Sequence, residues 1–137
     1  MPYRLEFTDD SGFIAFYSGV LTDELAIECQ LAKRHDERTL TIQYAINDFS
    51  EVTDFALTVE ALRTIAHYNL KTAKMNPDIY AIAIMPTELG YAISRQWQGF
   101  APDEETGWET ATVKSRQEAI DLLKSKLNID CSKYFEE

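Results

Sequence analysis

Leu40-Thr-Ile-Gln-Tyr-Ala-Ile-Asn47 is followed by Asp48-Phe-Ser-Glu-Val-Thr-Asp54, and then by a run in which Leu57, Ala61, Leu62, Ile65 and Ala66 recur at three- and four-residue steps. In the first segment Leu40, Ile42, Tyr44 and Ile46 alternate with shorter or more polar residues, the period-two pattern of a strand with one face buried. The second segment is polar and reads as a loop. The third has the period of an amphipathic helix and should end near Lys74, before Asn76-Pro77. A strand feeding a polar loop that opens a helix is where α/β proteins usually place a ligand or regulatory site. The region from Leu40 to Leu70 is therefore expected to be the centre of the fold.

Working outward, Tyr3, Leu5 and Phe7 alternate with polar residues, Asp9-Asp-Ser-Gly12 supplies turn chemistry, and Phe13-Ile-Ala-Phe-Tyr17 completes a hairpin whose second strand should end at Gly19. Thr22 is placed to cap a helix running to about His35. Asp23 and Glu24 lie at its positive end and Lys33 and Arg34 at its negative end, with Leu25, Cys29 and Ala32 as the buried stripe. Downstream, Ile79-Tyr-Ala-Ile-Ala-Ile-Met85 is apolar throughout, as in a central strand covered on both faces. Thr87 caps a third helix carrying Leu89, Ala92, Ile93, Trp97 and Phe100, and Ala101 to Gly107 reads as a loop before a last strand from Trp108 to Lys114. Ser115-Arg-Gln-Glu118 matches a capping box and opens a helix built on Ala119, Ile120, Leu122, Leu123 and Leu127. The order is ββαβαβαβα, which predicts a single α/β domain over residues 1–127: a mixed sheet with a largely parallel centre, flanked by helices. Residues 128–137 are expected to be a tail in which Tyr134 and Phe135 have local docking partners.

A chain of 137 residues with 45% hydrophobic content fits one core without disulfides or metals. The formal net charge of -10 repels phosphate backbones and anionic membrane surfaces, which argues against nucleic-acid binding. Cys29 and Cys131 sit in no CxxC or Cys/His cluster, and neither a secretory leader nor an apolar stretch of the roughly 18 to 20 residues needed to cross a bilayer is visible. A cytoplasmic protein is expected, without stable membrane insertion.

The element order, with Ala45-Ile-Asn-Asp-Phe-Ser-Glu-Val-Thr-Asp-Phe-Ala-Leu-Thr58 leading into a helix and Val113-Lys-Ser-Arg-Gln-Glu-Ala-Ile-Asp-Leu-Leu123 closing the chain, resembles the STAS family of bacterial anti-sigma-factor antagonists. In particular it resembles the SpoIIAA-like branch of small bacterial proteins, over most of the span from Tyr3 to Leu127. In the regulatory members of that family the helix after the strand begins with Asp-Ser-Ser-Gly, whose serine is phosphorylated by a partner kinase. Laid without gaps from Val52, the motif falls on Ala56, Leu57, Thr58 and Val59, where Thr58 alone keeps a hydroxyl. The resemblance implies a non-enzymatic regulatory or interaction module with a protein partner. Asp48, Ser50, Asp54 and Thr58 are the regulatory or partner-binding candidates, with Asp54 alternatively a helix cap.

No GxSxG elbow, P-loop, GxGxxG, HExxH or paired-cysteine ligand set occurs, and His35 and His67 have no ligand-spaced partners, so neither a catalytic residue, a metal nor a cofactor is assigned. Asp103-Glu-Glu105 is a single acidic run without the distributed ligands a hard cation needs. Arg95, Trp97, Phe100 and Trp108 combine aromatic bodies with a cation and would rim a pocket or an interface, the rival reading being two core aromatics and a solvated arginine. Two further functions compete. One is a carrier or sensor of a small apolar ligand between the second and third helices, by analogy with the related SEC14-type fold. The other is acid/base chemistry by Asp48 and Asp54, which requires the two carboxylates to converge. A homodimer is compatible with either.

Overall fold

The computed structural model describes residues 2–136. A hairpin of β1 (Tyr3–Phe7) and β2 (Gly12–Thr22) is followed by α1 (Asp23–Arg34), β3 (Tyr44–Ala56), α2 (Val59–Met75) and β4 (Tyr80–Ile84). Then come α3 (Glu88–Phe100), the one-turn α4 (Asp103–Thr106), β5 (Glu109–Val113) and α5 (Arg116–Leu127). The strands form one sheet in the order β1-β2-β3-β4-β5, with β1 antiparallel to β2 and every other pair parallel. Each parallel strand is added beyond its predecessor, so right-handed crossovers carry α1, α2 and α3 over the same face. α5 follows the last strand and returns over the opposite face, where Ala119 and Leu123 join the core. The expected α/β domain with a mixed sheet and a parallel centre is the observed one.

The two faces of the sheet are built from different side chains. Ile14, Tyr44, Ile46, Tyr80, Ile82 and Ile84 point toward α5. The interleaved residues toward the three helices include Ala15, Ala45 and Ala81, whose small size lets helices lie close to the strands. Gly12 is required beside Tyr44, because a Cβ there would lie 2.0 Å from the ring's Cζ. The Tyr44 hydroxyl donates to Asp10 Oδ1 at 2.7 Å. Four helices begin on a hydroxyl cap: Thr22, Thr58, Thr87 and Ser115 accept from the amides of Leu25, Ala61, Gly90 and Glu118. Glu118 reaches back past the Ser115 cap and accepts from the Lys114 amide at 3.1 Å, one residue beyond the reciprocal bond of a capping box.

Several expectations are corrected. Leu40 is not in the strand but ends a 3-10 turn from Glu37 to Leu40, and β3 starts at Tyr44. The polar stretch from Asp48 to Asp54 is not a loop: β3 continues through it, paired with β2 as far as Thr22 opposite Ala56. Its polarity has a topological cause, since β4 ends at Ile84 opposite Asp48 and leaves the upper half of β3 without a neighbour on that side. Gly19 does not end β2 but sits within it at φ 74°, where the register with β3 shifts. The helix stripes are also displaced. α1 buries Ala26, Cys29, Gln30 and Lys33 while Ala32 is exposed; the Lys33 ammonium is buried as well, 5.5 Å from the centre of the Phe13 ring, and burial lowers its pKa. α3 turns Gly90 and Ser94 inward and leaves Leu89 and Ala92 exposed. Met85 sets that orientation, because a Cβ at position 90 would lie 3.0 Å from its sulfur.

The end of the chain packs against the α5 face. Cys131 is fully buried, the Tyr134 hydroxyl donates to Asp9 Oδ1 at 2.5 Å, and Phe135 meets Phe16 edge-on at 5.6 Å. Met1 and Glu137, the last residue of the expected tail, lie outside the described residues. At the outer edge of the sheet, Asp103 accepts hydrogen bonds from both the amide (3.2 Å) and the hydroxyl (2.7 Å) of Thr110 on β5. No helix among the described residues is long and apolar enough to cross a membrane.

Candidate functional site

β3 passes into α2 through only Leu57 and Thr58. Thr58 is the N-cap of α2: its Oγ1 accepts from the Ala61 amide at 3.1 Å. The same residue is held from outside by Asp23, the first residue of α1, whose carboxylate accepts from the Thr58 amide and the Thr58 hydroxyl, each at 2.8 Å. Asp23 thus ties the starts of two helices together. Asp54, considered as a cap, is an exposed residue of β3 four positions earlier. Ser50 also lies within β3, and its amide donates to Asp48 Oδ1 at 2.9 Å. The capped starts of α1, α2 and α3 all follow the carboxyl ends of parallel strands, so they share one end of the sheet. Val20, Val59 and Leu89 are exposed there at 47%, 45% and 59%.

Asp48 faces the other way. It is 1% exposed and accepts from Arg116 Nε at 2.7 Å, while Arg116 Nη2 reaches Glu51 Oε2 at 3.5 Å. Burial pulls the guanidinium pKa down, but the contacts with Asp48 and Glu51 outweigh that and leave it raised. Asp48 and Asp54 are not brought together. They stand six residues apart on one strand, on the order of 20 Å, and the first is already paired. That separation removes the geometry on which acid/base chemistry by this pair depended.

Arg95, Trp97, Phe100 and Trp108 do not form one rim together, although Trp97 and Trp108 both line a small pocket with Asn69 and Ala81. Trp108 is core, its Nε1 donating to the Asn76 carbonyl at 2.8 Å. Arg95 is exposed beside Tyr91, and Phe100 is half-buried beneath the Arg63 guanidinium at 5.1 Å. Trp97 alone turns toward the cavity beneath the β3–α2 junction, which α1, α2, α3 and the upper parts of β2 and β3 enclose. Its free volume is about 50 Å³, and Phe49, Phe55, Leu57 and Ile93 supply apolar wall. Tyr17 stacks on Phe49 with ring centroids 4.7 Å apart and donates its hydroxyl to the Cys29 sulfur at 3.0 Å. Burial pushes the Tyr17 phenol well above its ordinary pKa, so it stays a neutral donor.

Four residues at these sites were not anticipated: Asp23 as a partner of Thr58, Arg116 as the partner of Asp48, and the amides Gln30 and Asn47 lining the cavity. Two carried a readable signal. Gln30 stands four residues after Ala26 on α1, and Asn47 falls on the same side of β3 as Ala45 and Phe49 by period-two alternation. The Arg116 and Asp23 contacts join residues 68 and 35 positions apart, and local sequence contains no trace of them.

No protein-family model and no curated protein matches the sequence. Solved structures do match. The anti-sigma factor antagonist SpoIIAA in its unphosphorylated form superposes with a TM-score of 0.59 at 11% identity, covering 89% of this chain and 97% of that one. The phosphorylated form of the Bacillus cell fate determinant SpoIIAA gives 0.56 at 14% identity, covering 88% and 98%. An uncharacterized DUF3478-family protein of SpoIIAA-like fold from Shewanella loihica PV-4 gives 0.53 at 21% identity, covering 88% and 91%. At such identities the likeness speaks for the fold alone: the chain has a SpoIIAA-like fold.

Proposed function

We propose that this domain is a non-enzymatic regulatory module that meets a protein partner through the carboxyl end of its sheet, centred on the β3–α2 junction. The observation that supports this reading is the exposure of Val20, Val59 and Leu89 at that end, around the junction that Asp23 ties at Thr58. Apolar side chains among capped helix starts offer an anchor surrounded by polar groups, the usual anatomy of a recognition surface. Thr58 is exposed and stands where the motif of the regulatory STAS members falls. A phosphate there would face the Asp23 carboxylate that now accepts from the same hydroxyl, so modification would release the tie between α1 and α2. A cytoplasmic setting suits two free cysteines, both buried.

A photo-crosslinking residue at position 59, compared with one at the exposed Met75 at the opposite end of α2, tests the proposal in host cells. A protein captured from position 59, not from 75, and lost with Thr58→Asp is the expected result. Equal capture from both ends would overturn the reading, and capture of a second copy would make the partner the chain itself. The carrier reading is weakened by volume: about 50 Å³ is free in the cavity, whereas roughly 150 Å³ holds a single benzene.

A further inference from the structure

A second, smaller space lies between α2, α3 and the outer strands of the sheet. Asn69 of α2, Trp97 of α3 and Thr110 of β5 line it, with Ala81, Ala101 and Trp108 among the apolar wall. Two buried side-chain polar atoms among the described residues have no hydrogen-bond partner, and they are Asn69 Oδ1 and Trp97 Nε1. Asn69 is only 2% exposed. Native proteins rarely leave such atoms unpaired, and here both belong to residues that line one space. The two are complementary in kind, since the indole nitrogen only donates and the amide oxygen only accepts. They are not bonded to each other. A group that satisfies both therefore accepts from the first and donates to the second.

The size of the space decides what that group is. Its free volume is about 20 Å³, more than the roughly 10–15 Å³ that one water requires and far less than the roughly 150 Å³ that holds benzene. No charged side chain lines it, so an ion would lose its hydration without compensation. We propose that this space binds a single water molecule, which accepts from Trp97 Nε1 and donates to Asn69 Oδ1. A space of one molecule's size keeps its occupant in contact with the groups around it. The Thr110 hydroxyl donates to Asp103 and keeps an oxygen lone pair for the second water proton. Three such bonds are usual for an internal water. The bridge ties α2 to α3 through polar groups. Trp97 also lines the cavity beneath the β3–α2 junction, so the bridged indole is a wall common to both spaces. The site needs no partner protein and stands apart from the role proposed for the junction.

Two measurements on the unmodified chain test the site. In a high-resolution crystal structure, one density peak is expected within hydrogen-bond distance of both Trp97 Nε1 and Asn69 Oδ1. In solution the 15N-labelled chain gives two indole N–H signals, one for each tryptophan, and Trp97→Phe assigns them. The Trp97 signal is expected to receive magnetisation from water, with laboratory-frame and rotating-frame Overhauser effects of opposite sign, as for a held rather than a passing water. Asn69→Leu removes the acceptor and fills the space, and should abolish that transfer and move the Trp97 indole proton upfield. A direct bond between Trp97 and Asn69 with no density between them would overturn the site, as would an absence of transfer in the unmodified chain. Transfer that persists undiminished in Asn69→Leu would come from exchanging hydroxyls or surface water and would overturn it equally. A peak bonded to only one of the two atoms would overturn the bridge.

Discussion

From Tyr44 to Asp48, β3 runs between β2 and β4 and is buried at every position; from Phe49 to Ala56 it keeps only β2 beside it and no residue is fully buried. The lower half is held by side chains, with Tyr44 and Ile46 packed against Leu123 and its neighbours. The upper half is held mainly by the backbone ladder to β2 and by the aromatic contacts of Phe49 and Phe55. The difference follows from the length of β4, which stops at Ile84. The exposed length of β3 is in turn what raises the junction with α2 above the rest of the sheet and gives the cavity its walls.

Breaking the link at the boundary between the halves should have the largest effect. Arg116→Met leaves the Asp48 carboxylate buried without its ion-pair partner, and should lower the unfolding free energy by about 4 kcal/mol in urea denaturation. Asp48→Asn added to that variant removes the stranded charge and should recover part of the loss. The halves themselves are contrasted next. Ile46→Ala empties a fully buried site and should cost about 3 kcal/mol, whereas Val52→Ala in the half-buried upper part should cost less than about 1 kcal/mol. In hydrogen exchange, amides from Ala45 to Asp48 should open only with global unfolding and those beyond Ser50 by local opening. Equal protection along the strand would abolish the distinction.

At the top of the upper half, Thr58→Ala removes the α2 cap and one of the Asp23 bonds. The expected loss is about 1 kcal/mol, read from the denaturation midpoint. The smallest effect at neutral pH is an alkaline one, and it belongs to the lower half. Burial pushes the Cys131 thiol from its ordinary 9.0 up to about 11. Between those values the unfolded chain has released a proton that the folded chain keeps, so this contribution to stability is intact below pH 9 and is lost as pH rises toward 11. Tyr17 and Tyr44, both raised by burial, extend the decline. Cys131→Ala should flatten its onset in a pH series of denaturation curves.

Much of the architecture was legible because local chemistry and tertiary role coincide. Thr22, Thr87 and Ser115 are caps in the sequence pattern and in the fold, and the apolar run through Ile84 is buried on both faces. Legibility failed where a distant partner decides. Ser50, Thr53 and Asp54 have loop-like chemistry, yet the β2 ladder holds that stretch as strand. Leu40 continues the apolar alternation, yet the chain turns there. At the candidate site, Thr58 could be placed by motif position, but its engagement with Asp23 spans 35 residues. The grouping of Arg95 with Trp97 and Trp108 held only for the tryptophans, which line one small pocket, because Arg95 leaves α3 on the side that meets solvent.

Asp103 bears on how copies of this chain behave at high concentration. Glu109 directs its amide inward to Ile79, so the next amide along β5, that of Thr110, points away from the sheet. There the Asp103 carboxylate already occupies it. A foreign strand approaching this rim meets a fixed negative charge where it needs a free donor, and the chain's net charge of -10 adds to the rejection. Asp103→Ala uncovers the donor, and light scattering against concentration shows whether sheets then join rim to rim. The short acidic turn before β5 thus acts as a selvage, a finished border that keeps a five-stranded weave from being extended by its neighbours.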